Sequence, residues 1–192
     1  MEVLIVMALI GAIATMGLPK LFKKETSLRT MARHLPALSK MVRNRARLTN
    51  STMRLVFKLD PKDPSYWVEK ANGIQKIDLE ALNDPKRRNG LEEKTDEENP
   101  PPPPFAPDKA VMKKPKTVPG GFKILSVETA NTKEPITEGL AFVYYSPEGI
   151  VEHAVVHVGD GKKFTWSFVI NPLTGQVDLL TEAKSLKDLD VK

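Results

Sequence analysis

Three histidines are the residues of this chain best suited to catalysis or metal binding: His34, His153 and His157. His153 and His157 are four positions apart in a predicted strand, so they share a face but lie roughly 13 Å apart, too far to hold one metal ion. The chain contains no cysteine, which excludes a thiol nucleophile, a disulfide framework and a cysteine-ligated metal. It also contains no HExxH metal motif, Gly-rich phosphate loop or nucleophile elbow. We therefore predict a protein that is not an enzyme and uses neither a cofactor nor a metal.

The charge is unevenly distributed along the chain. The 29 lysines and arginines exceed the 24 aspartates and glutamates, but a net charge of +5 is too small to identify a polyanionic partner. Eleven basic and two acidic residues lie between positions 2 and 58. The first third is therefore strongly basic, whereas the remainder is weakly acidic.

The chain begins with an acid in front of a long uncharged, mostly apolar run. Glu2 precedes sixteen such residues at positions 3–18, which cover roughly 24 Å as a helix. The hydrocarbon core of a bilayer measures roughly 30 Å, and apolar Leu21 and Phe22 beyond Pro19 extend the run to near that length. We predict a transmembrane segment at residues 1–22 with a helix kink at Pro19. A carboxylate beside such a helix costs a few kcal/mol in lipid unless a cation pairs with it.

Three other interpretations of this run stay open. Ala12-Ile13-Ala14 is similar to the cleavage site of a secretory signal, although such signals begin with a positive segment and this chain offers only Glu2. The run could be a buried helix of a soluble domain, but its β-branched residues and glycines favour lipid. A plain single-pass anchor would place its C-terminal side in the cytoplasm, because it is followed by Lys20, Lys23 and Lys24.

The first nineteen residues, MEVLIVMALIGAIATMGLP, resemble the amino-terminal segment of type IV pilins and of type II secretion pseudopilins. The E-V-L-I-V string at positions 2–6 matches the family, and Pro19 falls where the family's helix kinks. The resemblance implies cleavage after a glycine by prepilin peptidase and methylation of the new N terminus. It also implies that Glu2 pairs with the N-terminal amine of a neighbouring subunit and so sets the register of assembly. Because that glycine is missing before Glu2, we expect the encoded protein to extend upstream with a short basic leader.

Residues 23–50 have the pattern of an amphipathic continuation of this helix. Steps of three and four separate the apolar residues Leu28, Met31, Leu35, Leu38, Met41, Val42 and Leu48. Pro36 removes one backbone donor within the pattern, which predicts a kink near Arg33. A basic stripe of this kind could bind nucleic acid or an anionic membrane surface, although a solvated helix face is the favoured interpretation. The candidate contacts for such a partner are Arg43, Arg45 and Arg47.

The rest of the chain is divided into a first β-hairpin region (51–82), a Pro-rich insertion (83–121), an antiparallel β domain (122–183) and a tail (184–192). Alternating apolar residues from position 53 to 59 indicate a half-buried strand. Five consecutive prolines at 100–104 follow an acidic run, and such stretches stay extended and solvated, so we predict a mobile insertion. Turns separate the later strands, and Gly159-Asp160-Gly161 is interpreted as one of these turns rather than as a cation site.

Two of those turns give a second resemblance. Y-S-P-E-G at 145–149 and V-I-N-P-L-T-G-Q-V at 169–177 are similar to the F-x-P-x-G and I-x-P-x-T-G-x-V endings of H-type minor pseudopilins. The insertion at 83–121 and Pro36 are not part of that pattern. Together the two resemblances imply an α+β, pilin-like fold, with a long N-terminal helix, transmembrane in its first part, packed on an antiparallel β-sheet or sandwich.

The function implied is that of a non-enzymatic structural subunit, a minor pseudopilin. It would assemble near the tip of the periplasmic pseudopilus for type II protein secretion. It would cross the bacterial inner membrane once, with its C-terminal domain in the periplasm. The expected partners are other pseudopilins or minor pilins, inner-membrane lipid, prepilin peptidase and secreted cargo, whereas nucleic acid is not expected. The alternatives are a minor type IV pilin that binds DNA during uptake and a secreted β-sandwich binding protein with a cleaved signal.

Overall fold

The computed structural model describes residues 29–89, 105–162 and 164–189. Helix α1 covers 29–48, and the later helices are α2 (Leu79–Asn83), α3 (Pro85–Arg88) and α4 (Leu186–Leu189), with a 3-10 turn at Pro119–Gly121. The strands are β1 (Ser51–Leu59), β2 (Ser65–Asn72), β3 (Ala106–Pro107), β4 (Lys116–Thr117), β5 (Lys123–Thr129), β6 (Gly139–Tyr145), β7 (Ala154–Gly159), β8 (Thr165–Ile170) and β9 (Val177–Leu180).

The strands form two antiparallel sheets. Sheet A has the order β3-β2-β1-β6, and β4 also pairs with β2. Sheet B has the order β5-β7-β8-β9. Strand β6 therefore leaves its neighbours in sequence and pairs with β1, where Leu55 lies opposite Val143. The inner faces of both sheets and one face of α1 share a single apolar core.

Helix α1 buries four of the apolar residues in its predicted pattern, whereas two others, Met41 and Leu48, are exposed. Its buried side chains follow steps of three and four: Met31, Leu35, Leu38, Val42 and Ala46. The helix is continuous through Pro36. It ends just before Asn50, which has a positive φ of 44°, and asparagine is one of the few residues other than glycine that commonly adopts this helix-ending conformation.

The expected pilin-like α+β fold is wrong for the part of the chain that the structure describes. This part is mostly β, with two antiparallel sheets and one helix of several turns, at 29–48. The physical reason is that strands from 51–72 and from 123–180 each bury an apolar face, so the helix covers a core that two sheets already enclose. Among the described residues no helix is long and apolar enough to span a membrane. The predicted segment at 1–22, with Glu2 and Pro19, lies outside those residues.

The described part of the predicted insertion at 83–121 packs against sheet A. The Arg54 guanidinium lies over the rings of Phe105 and Phe142, with its Cζ 4.1 Å from each ring centroid. Arg54 also forms an ion pair with Glu69, at 2.7 Å, and Glu69 accepts a hydrogen bond from Trp67 Nε1. Cation–π contacts of this kind stabilise by about 1 kcal/mol or more when shielded from water. Residues 105–121 are thus held along the β2 side of the sheet.

Candidate functional site

The two turns singled out from the sequence form by local hydrogen bonding. In the first, Gly149 N donates to Ser146 O at 3.0 Å, and Gly149 has a φ of 88°. In the second, the Asn171 side chain accepts from Leu173 N and Thr174 N, while Gly175 N donates to Asn171 O. Glycine is favoured at positive φ because it has no Cβ.

The turns lie side by side and are attached to the same part of α1. Val151 N, just after the first turn, donates to Pro172 O in the second, at 2.8 Å. Arg43 bridges both turns, because its Nε donates to Gly149 O at 2.7 Å and its Nη2 donates to Leu173 O at 2.8 Å. We call Ser39, Arg43, Tyr145 and residues 146–149 and 171–175 the helix–turn junction.

A buried hydroxyl chain forms the inner half of the junction. Tyr145 OH donates to Ser39 Oγ at 3.0 Å, and Ser39 Oγ donates to Gly175 O at 2.7 Å. Both side chains are fully buried. Burial raises the pKa of Tyr145 well above its usual range, so the phenol remains a neutral donor. The chain of hydrogen bonds connects β6, α1 and the second turn without a charged group.

The three candidate arginines have three different environments. Arg43 belongs to the helix–turn junction. Arg45 Nε forms an ion pair with Asp108 Oδ2 at 2.6 Å; burial acts to raise the pKa of Asp108, but hydrogen bonds from Arg45 and from the backbone outweigh it and lower that pKa. Arg47 is exposed, and its aliphatic stem covers Gly149, where an added Cβ would lie 2.6 Å from Arg47 Cδ. Two of the three guanidinium groups therefore bind acceptors within the chain.

Comparison with protein-family models, with curated proteins and with solved structures found no match. The geometry of the described residues is the basis for a functional proposal.

His34 makes its contacts outside the helix–turn junction. His34 contacts Tyr66 OH at 3.1 Å and Lys116 Nζ at 2.6 Å. Burial and the Lys116 charge lower the pKa of His34, so the neutral ring accepts from the lysine. Among the described residues no group of three metal-ligating side chains occurs.

His157 lies in a polar cluster that sequence reasoning missed. Its Nδ1 is 2.9 Å from Ser167 Oγ, and its Nε2 is 3.4 Å from Glu128 Oε1. A serine, a histidine and an acid in contact have the composition of a nucleophilic triad. However, Ser167 is fully buried and its hydroxyl donates to Glu182 O at 2.6 Å. This serine is therefore not placed to attack a substrate. The period-two pattern gives each strand's alternation but not which strands are neighbours, so the cluster was not visible in the sequence.

Gly175→Ala should lower the free energy of unfolding by about 2 kcal/mol, and Gly161→Ala by about 1 kcal/mol. The two variants form a matched pair, because both glycines have positive φ, 65° and 73°. Both variants therefore incur the backbone strain of alanine at positive φ, and the difference between them measures the steric contact with Arg43. A Cβ at 175 would lie 2.8 Å from Arg43 Cδ, whereas nothing lies within 4 Å of one at 161. Arg43 cannot move aside without weakening its two carbonyl bonds. Urea unfolding measures the difference, and equal losses would show that the contact with Arg43 contributes nothing.

Glu152→Gln should stabilise the protein at neutral and alkaline pH. Burial raises the pKa of Glu152, although weaker effects of hydrogen bonds from Thr129, Tyr144 N and Asn131 act against the rise. Because the folded-state pKa lies above that of the unfolded chain, the favourable contribution is complete at low pH and is lost as the pH rises through the folded-state pKa. Thermal melts of both proteins from about pH 3 to about pH 8 should diverge toward high pH. Parallel curves would contradict this account.

Proposed function

We propose that the chain is a non-enzymatic structural subunit of a periplasmic pseudopilus that serves type II protein secretion. The observation that supports the proposal is the helix–turn junction. The two stretches similar to H-type minor pseudopilins, 145–149 and 169–177, are distant in sequence but are joined in space by Ser39 and Arg43. Their resemblance therefore coincides with one structural unit on α1, which follows the apolar segment in the sequence.

The junction suits a subunit in which a helix fixes the orientation of an attached globular domain. Ser39 and Arg43 attach α1 to the two turns and to Tyr145 of β6 through four hydrogen bonds of 2.7–3.0 Å. The apolar segment would anchor the chain in the inner membrane and later pack among the helices of the filament, with Glu2 setting the register. A helix attached in this way carries the β domain into the filament in one orientation. Exposed Met41 and Leu48 on α1 are available for contact with neighbouring subunits.

The DNA-binding alternative is less well supported. Two of its three candidate arginines, Arg43 and Arg45, already bind acceptors within the chain. Phosphate contacts would give an affinity for duplex DNA that falls steeply with salt, because counterions are released on binding. A pseudopilus subunit should show little affinity for duplex DNA at any salt concentration.

The test of the proposed function is fractionation and cross-linking in the bacterium that encodes the chain. We expect the protein in the inner-membrane fraction, resistant to carbonate extraction, and cross-linked to pseudopilins when secretion is active. Mass spectrometry of the mature N terminus is the second measurement. A soluble periplasmic protein whose N terminus follows Ala14 would refute the proposal, since that cleavage removes Glu2 and supports the secreted binding protein instead.

A further inference from the structure

Helix α1 and the segment at 105–118 form a surface whose charge is almost entirely positive. Six lysines and arginines and no acid occur at 29–48, and four lysines occur at 105–118. The one acid in these two stretches, Asp108, is buried and paired with Arg45 at 2.6 Å. The two stretches therefore carry a large positive charge that their single acid offsets only in part.

The segment at 105–118 lies along α1 and runs in the opposite direction. Asp108 contacts Arg45 near the end of the helix, whereas Lys116 Nζ lies 2.6 Å from His34 Nε2 near its start. Buried apolar side chains of the segment belong to the same core as the buried face of α1. Its four lysines are all exposed: Lys109, Lys113, Lys114 and Lys116.

A second row of cations lies on α1 itself. A helix turns by about 100° per residue, so Arg29, Arg33 and Lys40 lie within about 40° of one another around the axis. All three side chains are exposed. The helix thus presents one cationic row, and the segment beside it presents another.

Two exposed apolar side chains of α1 lie between these rows. Around the helix axis, Leu48 and Met41 follow Lys40 by about 80° and about 100°, and His34, which contacts the segment, follows it by about 120°. Leu48 is 86% exposed and Met41 is 50% exposed. The order across the surface is therefore cationic, apolar, cationic. We call this surface the basic face: Arg29, Arg33, Lys40, Met41, Leu48 and the lysines of 109–116.

This order suits a bilayer that contains anionic lipids better than it suits a nucleic acid. Anionic headgroups attract the two cationic rows, and apolar side chains between the rows meet the boundary with the acyl chains just below. Nucleic acids are bound largely through arginines that reach phosphates and base edges. Two arginines of α1, Arg43 and Arg45, already bind acceptors within the chain.

We propose that the basic face is a binding surface for anionic phospholipid headgroups, with Met41 and Leu48 at the depth of the headgroups. The inference is drawn from the described residues and does not depend on the proposed function. A membrane anchor at 1–22 would favour the same contact, because Arg29 follows Phe22 by seven positions and seven residues span at most about 25 Å. The subunit would then rest on the bilayer before assembly and expose its apolar pair to neighbouring subunits on leaving it.

The first test places a fluorophore on the basic face. Because the chain has no cysteine, Met41→Cys in the full chain is labelled at a single position. The labelled protein is reconstituted with vesicles of phosphatidylcholine alone, or of phosphatidylcholine and phosphatidylglycerol in equal parts, each with a nitroxide quencher on the headgroup. Quenching should be about fivefold stronger in the anionic vesicles. Equal quenching in the two kinds of vesicle would overturn the proposal.

Leu79→Cys is the matched control for Met41→Cys. Leu79 is 51% exposed, close to the 50% of Met41, and it lies on α2, which packs on the face of sheet A opposite to the main core. A label at 79 should be weakly quenched in both kinds of vesicle. If the anionic vesicles quench both labels equally, the protein adheres without a preferred face and the proposal fails.

The second test removes charge from the basic face. In the protein labelled at 41, Lys113→Gln with Lys114→Gln should lower the ratio of bilayer-bound to detached protein about tenfold, because each cation near an anionic surface strengthens binding by a similar factor. About 0.5 M salt should also detach the face, since it shortens the screening length to about 4 Å. The matched control, Lys133→Gln with Lys187→Gln, removes two exposed charges outside the face and should leave the ratio unchanged. Equal losses from the two double variants would show that only net charge matters and would overturn the proposal.

A third measurement separates this inference from the proposed function and from nucleic-acid binding. Carbonate extraction of the same vesicles reports insertion of the apolar segment, whereas quenching at 41 reports contact of the basic face. Extractable protein with strong quenching would refute the membrane anchor and support the basic face, and resistant protein without quenching would do the reverse. Excess duplex DNA should not relieve the quenching. Relief by DNA, together with tight DNA binding in the absence of lipid, would assign the face to nucleic acid and overturn the proposal.

Discussion

Arg43→Met should lower the free energy of unfolding by about 3 kcal/mol. Methionine keeps the apolar stem but leaves Gly149 O and Leu173 O without the donors that reach them at 2.7 and 2.8 Å. A hydrogen bond from a charged donor contributes about 1.5–3 kcal/mol, and the partly exposed bond to Leu173 belongs at the low end. Urea unfolding at constant pH and salt gives the value. Amide exchange should accelerate first in residues 146–149 and 171–175, because they lose their attachment to α1.

Arg47→Met is the matched control for Arg43→Met. Arg47 lies one helical turn further along α1 and is exposed, and its stem rather than its charge covers Gly149. Methionine preserves that cover, so the free energy of unfolding should change by less than about 0.5 kcal/mol. If both variants lose the same stability, the general positive charge of the helix matters and the bridge from Arg43 to the turns does not.

The helical period explains why the three arginines could not be grouped correctly by charge alone. Residues two apart on a helix point in nearly opposite directions, about 200° around the axis, whereas residues four apart share a side. Arg45 therefore faces Asp108, while Arg43 and Arg47 face the turn that ends at Gly149. The buried face of α1 could be predicted because it depends on spacing within one element. The acceptors could not, since Asp108 and Gly149 are 63 and 106 positions away from their arginines.

The strands were predictable as strands, but their assignment to two sheets was not. The alternation at 53–59 and 165–170 gives a buried face to β1 and β8. Nothing local indicates that β6 pairs with β1, because strand pairing depends on packing across the whole core. The helix–turn junction and the cluster of His157, Ser167 and Glu128 both join elements from different parts of the chain. The two turns were visible from their Pro and Gly residues, whereas their common attachment to Arg43 was not.

Glu2→Ala should reduce incorporation into the filament by tenfold or more while leaving membrane anchoring and the β domain intact. This expectation rests on the proposed function. An acid next to an apolar helix needs a cation in lipid, and in the proposed filament that cation is the N-terminal amine of the adjacent subunit. Removing the carboxylate makes insertion easier but deletes the pair that fixes the register. Incorporation is measured as the amount of this subunit in sheared filaments divided by its amount in the membrane fraction.

Glu25→Ala is the control for Glu2→Ala. It removes the other acid of the first 58 residues, at a position beyond the apolar run, where water would already solvate the charge. We expect normal incorporation of this variant, because a carboxylate in water does not need a cation to offset burial in lipid. Equal incorporation of both variants and the unmodified chain would show that Glu2 has no role in assembly. Loss of the Glu2→Ala protein from the membrane would instead assign the carboxylate to insertion, and the proposed pairing between subunits would be wrong.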